Sequence, residues 1–210
     1  NPFLFEDMEN AVKRIQKAGK NKEKIIVYGD YDVDGISGVA YLVMMLRKLG
    51  LNVDYYIPNR VHKGAGINKH VLTFLKKRDA KLFITVDTSI NNLEEILMLK
   101  SEGIDIIITD HHRQVEVCEE MDILTINPKT SKTYPNKFLS GSGVAFKLAD
   151  AVYERYGANK KILYDYMDII MIGTVADVVP MTDENRFIIK KGLNNLKKTK
   201  KKGLKYIINY

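Results

Sequence analysis

The stretch "KIIVYGDYDVDGISG", residues 24–38, joins a short apolar run to a dense group of acids. Residues 24–28 are mostly apolar and rich in β-branched side chains, which is typical of a buried strand. Asp30, Asp32 and Asp34 follow this run directly, together with three glycines. Because like charges this close repel one another, the stretch predicts a strand that ends at a site where carboxylates are neutralised.

The alternation of strand and helix continues along the chain. Four further strands are predicted, at residues 53–57, 82–86, 104–109 and 123–126. Helices are predicted between them at 36–49, 68–78 and 92–101, and then in succession at 144–156, 160–172 and 184–197. Strands that alternate with helices favour a mainly parallel sheet with helices on both faces. The predicted fold class is therefore α/β, a five-stranded Rossmann-like domain followed by a helical C-terminal segment.

Length and composition restrict the class of protein. A chain of 210 residues with 45% hydrophobic content can form one globular domain with its own core. We expect this domain to span residues 1–197, and residues 198–210 to begin a linker or helix toward a C-terminal domain that the sequence lacks. The single cysteine, Cys118, excludes an internal disulfide and favours a reducing, cytoplasmic location. No stretch approaches the roughly 20 apolar residues that a membrane span needs.

Charge is unevenly distributed. The net charge is +7, and lysines gather between residues 190 and 205, while aspartates gather at the strand ends. A basic surface around an acidic centre favours an anionic substrate, such as single-stranded DNA or another phosphodiester, handled through metal ions. A solvated helix face would explain the lysines equally well.

Polar side chains follow other predicted strands as well. Asp87 follows residues 82–86, Asp110, His111 and His112 follow residues 104–109, and Asp177 follows an apolar helix. A single aspartate after a strand is usually a helix cap, but several such acids on one sheet edge favour a shared site. Carboxylates with imidazoles suit Mn²⁺ or Mg²⁺, and Zn²⁺ less because thiolates are missing. More than four candidate ligands predict two cations that share a carboxylate and support in-line attack of hydroxide on phosphorus.

Four motifs, "GDYDVDG", "VDTSI", "TDHH" and "GTVADVVPM", resemble in order and spacing those of the DHH phosphoesterase superfamily. The stretches "YIPNRVHKGAGIN", "INPKTSKTYP", "LSGSGVAFKLAD" and "DENR" are similar to its RecJ branch. The resemblance covers about residues 2–197. It implies a DHH catalytic domain that uses two divalent cations, with Mn²⁺ preferred and Mg²⁺ as the alternative.

The resemblance also implies roles for individual residues. Asp32 would bind the first cation, Asp34 the second, and Asp87 would bridge both. His111 and Asp177 would complete the second site.

Further candidates lie around these ligands. By resemblance, His112 would face the scissile phosphate as a charge stabiliser or proton donor. Asp30 would orient the metal ligands without binding a cation itself. Glycine-bearing stretches at 35–38 and 140–143 read as helix starts, which attract anions. The candidates for substrate-phosphate binding are Arg60, Ser37, Ser142 and Gly143.

The function implied by the resemblance is hydrolysis of single-stranded DNA from its 5′ end, as in DNA repair and recombination. A phosphoesterase for short oligoribonucleotides, cyclic dinucleotides or pyrophosphate is the alternative, since the same core chemistry serves all of them. A non-catalytic nucleic-acid-binding relative is the third hypothesis. The complete set of motif acids and histidines disfavours it, because such a cluster without cations would carry unneutralised charge.

Overall fold

The computed structural model describes residues 1–58, 69–90, 93–113 and 123–209. Its strands form one sheet: β1 (Lys24–Gly29), β2 (Val53–Tyr56), β3 (Ala80–Val86), β4 (Asp105–Thr109) and β5 (Leu124–Ile126). The strand order is β2-β1-β3-β4-β5, and every neighbouring pair is parallel. The predicted five-stranded parallel sheet is confirmed, with strand limits shifted by one or two residues.

The helices account for most of the remaining described chain. They are α1 (Met8–Lys20), α2 (Val33–Lys48), α3 (Lys69–Lys77), α4 (Leu93–Ser101), α5 (Gly141–Arg155), α6 (Lys161–Asp165), α7 (Met167–Ala176), α8 (Asp183–Leu196) and α9 (Lys202–Asn209). Helix α1 was not predicted. The single helix predicted at residues 160–172 was wrong, because the backbone leaves helical geometry at Tyr166 (φ −110°, ψ 17°) and separates α6 from α7.

Helices cover both faces of the sheet. Along β1, Ile25 and Val27 pack with α1, α2, α5 and α7 on one face, whereas Ile26 and Tyr28 pack with α3 and α4 on the other. This alternation follows from the two-residue period of a strand. Because both faces are buried, the strands are apolar at nearly every position, which is why they could be recognised in the sequence.

Helix α2 begins three residues before its predicted start. Asp32 is its N-cap, and the Asp32 side chain accepts a hydrogen bond of 2.9 Å from the Gly35 amide. This cap lets the helix begin at Val33, so that Asp34 lies in the first turn instead of in a preceding loop. The start of α2 thereby brings Asp34 to the carboxyl edge of the sheet.

The segment before α9 is held on the domain. The Lys201 ammonium lies 2.9 Å and 2.8 Å from the two carboxylate oxygens of Asp168, which is fully buried in α7. It also lies 4.5 Å from the centre of the Tyr166 ring. Among the described residues, no helix is both long and apolar enough to cross a membrane.

Candidate metal centre

Acids and histidines from four elements meet at the carboxyl edge of the sheet. Asp87 follows β3, His111 and His112 follow β4, Asp34 lies in α2, and Asp177 ends α7. One ligand atom each from Asp34, His111 and Asp177 lie within 4.8 Å of one another, and the same holds for Asp87, His111 and His112. The His111 Nε2 atom is 3.1 Å from Asp87 Oδ1 and 3.5 Å from Asp177 Oδ2. His111 therefore belongs to two overlapping sets of ligand atoms.

The cluster is buried and short of hydrogen bonds. Asp34 and Asp87 are each 1% exposed, and His111 is 6% exposed. Asp87 Oδ1, His111 Nε2 and Asp177 Oδ2 are buried and have no hydrogen-bond partner in the part of the chain that the structure describes. Buried polar atoms in native proteins almost always have a partner, so these atoms are arranged to receive one from outside the chain.

Burial and mutual repulsion change the protonation of the cluster. Burial, with the charges of Asp34 and Asp32, raises the pKa of Asp87 to about 10. Burial also raises the pKa of Asp177 and lowers the pKa of His111. Carboxylates that hold protons for lack of a counter-charge, next to an imidazole that burial keeps neutral, fit a divalent cation such as Mn²⁺ or Mg²⁺.

The start of α5 holds Asp34 in place. The amides of Gly141 and Ser142 donate hydrogen bonds of 2.6 Å and 3.1 Å to the two Asp34 carboxylate oxygens. An amino-terminal helix end favours such a carboxylate through its free amides and its dipole. A Cβ atom at position 141 would lie 2.4 Å from the Asp87 side chain, so only glycine allows this close approach.

His112 is positioned differently from His111. Its side chain is 55% exposed, and its Nδ1 atom lies 2.8 Å from Oδ1 of the fully buried Asp110. The hydrogen bond to Asp110 outweighs burial and raises the pKa of His112 to about 9. The ring is therefore cationic at neutral pH. The sequence offered a weak signal for Asp110, which lies two residues before His112, but the role of Asp110 was not predicted.

The family model "DHH family, N-terminal domain" matches residues 24–174. The chain belongs to the DHH family.

Named relatives and solved structures agree with this family. The chain is 40% identical over 208 residues to the single-stranded-DNA-specific exonuclease RecJ of Bacillus subtilis, covering 99% of this chain and 26% of that protein. It is 34% identical over 206 residues to RecJ of Haemophilus influenzae, covering 94% and 36%. The crystal structure of exonuclease RecJ bound to manganese matches with a TM-score of 0.87 and 31% identity, covering 100% of this chain and 53% of that one. The chain thus spans about a quarter to a third of the length of these curated relatives.

The three aspartates of the motif that begins at residue 29 lie in different surroundings. Asp34 lies in the ligand cluster, whereas Asp32 is exposed and caps α2. Asp30 is half-buried, and its Oδ1 atom accepts a 2.6 Å hydrogen bond from the Tyr31 amide. Within the described residues, neither Asp30 nor Asp32 belongs to the two close sets of ligand atoms. The roles assigned to Asp30 and Asp32 stay predictions.

The predicted phosphate-binding residues have other partners or lie outside the described residues. Ser142 and Gly143 are buried, and the Gly143 amide donates to the Ser140 hydroxyl. The start of α5 binds the carboxylate of Asp34 through the Gly141 and Ser142 amides, and the phosphate-binding roles of Ser37, Ser142 and Gly143 stay predictions. Ser37 is buried in the second turn of α2 and does not lie at the helix start. Arg60 lies outside the described residues.

Proposed function

We propose that this chain carries the catalytic centre of an exonuclease of the RecJ type, a hydrolase that shortens single-stranded DNA from its 5′ end with the help of divalent cations. The observation that carries the proposal is the sharing of His111 by two overlapping sets of buried ligand atoms at one sheet edge. Relatives that are single-stranded-DNA-specific exonucleases support this substrate, and similar RecJ structures contain manganese or magnesium.

Two groups of residues would hold the cations. Asp34, His111 and Asp177 would bind one cation, Asp32 would bind the other, and Asp87 would contribute to both. Mn²⁺ is our first choice and Mg²⁺ our second. Bound divalent cations supply the positive charge that activates water and stabilises phosphate oxygens.

The other side chains of the centre would act on the substrate directly or through a neighbour. His112, held cationic by Asp110, is exposed enough to contact a phosphate oxygen and to stabilise negative charge that develops there. It can also donate a proton to the leaving oxygen. Asp110 fixes the orientation of the ring by accepting its Nδ1 hydrogen bond.

Substrate preference can be tested with end-labelled strands. The chain is incubated with Mn²⁺ and single-stranded DNA labelled at the 5′ or the 3′ end, and in parallel with dinucleotides and with pyrophosphate. We expect rapid release of the 5′ label and slow release of the 3′ label, with duplex DNA as a resistant control. Faster turnover of dinucleotides or pyrophosphate would replace the DNA substrate with a small phosphoester.

We also propose that residues 1–197 form the catalytic domain and that residues 198–210 begin a connection to a further domain. The contact of Lys201 with Asp168 would orient that connection. A cytoplasmic location stays a prediction.

A further inference from the structure

The stretch "DENR", residues 183–186, has no role in the proposed chemistry, yet its asparagine is fully buried. The Asn185 Nδ2 atom donates hydrogen bonds of 2.6 Å to the Phe138 carbonyl and 2.9 Å to the Pro180 carbonyl. Both donors of the amide are thus spent on main-chain groups. The Oδ1 atom has no hydrogen-bond partner within the described residues. Asn185 therefore contacts the rest of the fold through these two donated hydrogen bonds.

The two carbonyls belong to the two loops that support the metal centre. Phe138 lies two residues before Ser140, the N-cap of the helix whose amides hold Asp34. Pro180 lies three residues after Asp177. Asp34 and Asp177 contribute to the same set of ligand atoms. The Asn185 side chain therefore connects the loop before the helix that holds Asp34 to the loop that follows Asp177.

The loop after Asp177 needs such a tie. Val178 and Asp183 have left-handed backbone angles, with φ of 56° and 45°. This conformation is strained for a β-branched residue, and it persists only where the surroundings fix it. The Val178 side chain is 83% exposed, so little packing holds it. The bond from Asn185 to Pro180 anchors the loop two residues after the strained Val178.

We propose that Asn185 is a positioning residue of the metal centre. By holding Pro180 against Phe138, it sets the spacing of Asp177 from Asp34 and hence the affinity of this ligand set for a divalent cation. The inference rests on the proposed function, because it requires that these acids bind a cation. Asn185 acts through the backbone of the two loops, since both of its donors bond main-chain carbonyls.

The test measures Mn²⁺ binding to the parent chain and to Asn185→Ala by titration calorimetry. We expect Asn185→Ala to bind Mn²⁺ about tenfold more weakly, the lower end of the effect of removing a hydrogen-bond partner of a ligand, because Asn185 acts through the backbone. The matched control is Asn195→Ala, since Asn195 lies on the same helix and its amide also donates to a main-chain carbonyl, that of Tyr164. The control should bind Mn²⁺ as the parent does.

Asn185→Ser is the second variant, because a hydroxyl keeps one donor and disturbs the fold less. We expect its Mn²⁺ affinity to lie between those of the parent and Asn185→Ala, and we expect raised Mn²⁺ to restore turnover in both variants. Parental Mn²⁺ affinity in the Asn185 variants, or an equal loss in Asn195→Ala, would overturn the role of Asn185 and leave the proposed function intact. Absence of Mn²⁺ binding by the parent chain would overturn both.

Discussion

The two edges of the sheet differ in how their buried acids are neutralised. At the amino edge, the Arg14 guanidinium pairs with Glu23 at 2.7 Å and with Asp105, and it also donates a 3.0 Å hydrogen bond to the Lys81 carbonyl. At the carboxyl edge, Asp87 and Asp177 have only histidines as ion-pair partners in the described part of the chain.

The pKa values show the same contrast. Burial alone would raise the pKa of Glu23, but hydrogen bonds from Asn21 and Arg14 outweigh it and lower that pKa. Burial and nearby acids raise the pKa of Asp87 to about 10, and the charge of His112 offsets this rise only in part. The fold therefore neutralises its structural acids with its own cations and leaves the acids of the site to be neutralised by a ligand, a pattern typical of functional sites.

Replacing a carboxylate should have the largest effect at the carboxyl edge. Asn fits the left-handed backbone of residue 87 (φ 58°) and keeps the shape of the side chain, but it removes a negative ligand. We expect Asp87→Asn to reduce Mn²⁺-dependent cleavage by about three orders of magnitude or more, because residues that act as one unit fail together. Cleavage of end-labelled single-stranded DNA at saturating Mn²⁺ measures this loss.

The matched control for Asp87→Asn lies at the other edge. Asp105→Asn removes an acid that pairs with Arg14, far from the cluster along β4, and it should leave cleavage unchanged. Parental turnover in Asp87→Asn would remove Asp87 from the centre and end the contrast between the edges.

The pH dependence of the metal-free chain should follow the carboxyl edge. Between its ordinary pKa of 3.8 and its folded value of about 10, Asp87 holds a proton only in the folded state. His112, raised from 6.5 to about 9, acts in the same direction up to pH 9. Rising pH therefore disfavours folding, and we expect Asp87 alone to lower the free energy of unfolding by about 2 kcal/mol from pH 7 to pH 8.5, with a smaller, solvent-screened contribution from the half-exposed His112. Urea unfolding with a chelator present measures this slope.

Saturating Mn²⁺ should abolish the decline, because the cation replaces the protons of the cluster. Asp87→Asn without metal should show a shallower decline than the parent. If the free energy of unfolding of the metal-free chain stays constant or rises over this pH range, the raised pKa of Asp87 is contradicted.

Breaking the pair at the amino edge should affect stability and spare the chemistry. Arg14→Ala leaves the largely buried Glu23 without its cation, and we expect a loss of about 2 kcal/mol in the free energy of unfolding, less than for a fully buried pair. Mn²⁺ affinity should stay at the parental value. Urea unfolding and calorimetry check the two quantities, and weakened Mn²⁺ binding in Arg14→Ala would show that the edges are coupled.

Much of the fold and the centre of the site could be predicted from the sequence, for physical reasons. The strands are apolar runs bounded by glycine and polar residues, and parallel strands bring Asp87 and His111 to one edge. Helix α1 was missed although its buried positions, such as Met8, Val12 and Ile15, have helical spacing, so its signal was present in the sequence.

The contacts that hold the site could not be predicted from the sequence. The amide of Gly141 donates to Asp34 across 107 positions of chain, and Asn185 reaches Phe138 across 47. No local pattern predicts which helix start will face which carboxylate. A glycine-rich helix start predicts an anion site, and the anion that two of its amides bind in this fold is the carboxylate of Asp34.

The smallest expected effect concerns how helices end at the two edges. Helix α5 begins beside Asp34 and ends near Gln16 of α1 at the amino edge, where Gly157 has φ 61°. Helix α7 ends at the carboxyl edge, where Val178 has φ 56°. A left-handed residue after a helix is normally glycine. We expect Val178→Gly to raise the free energy of unfolding by about 1 kcal/mol, and Gly157→Ala to lower it by a similar amount.

Urea unfolding of both metal-free variants checks this pair. Opposite signs would mean that the carboxyl edge tolerates backbone strain next to Asp177 that the amino edge avoids, as expected where a loop is fixed for ligand binding. Destabilisation by Val178→Gly would mean that the exposed valine side chain supports the metal-free fold. In that case the left-handed conformation of residue 178 would not lower the free energy of unfolding, and ligand binding would not be needed to account for it.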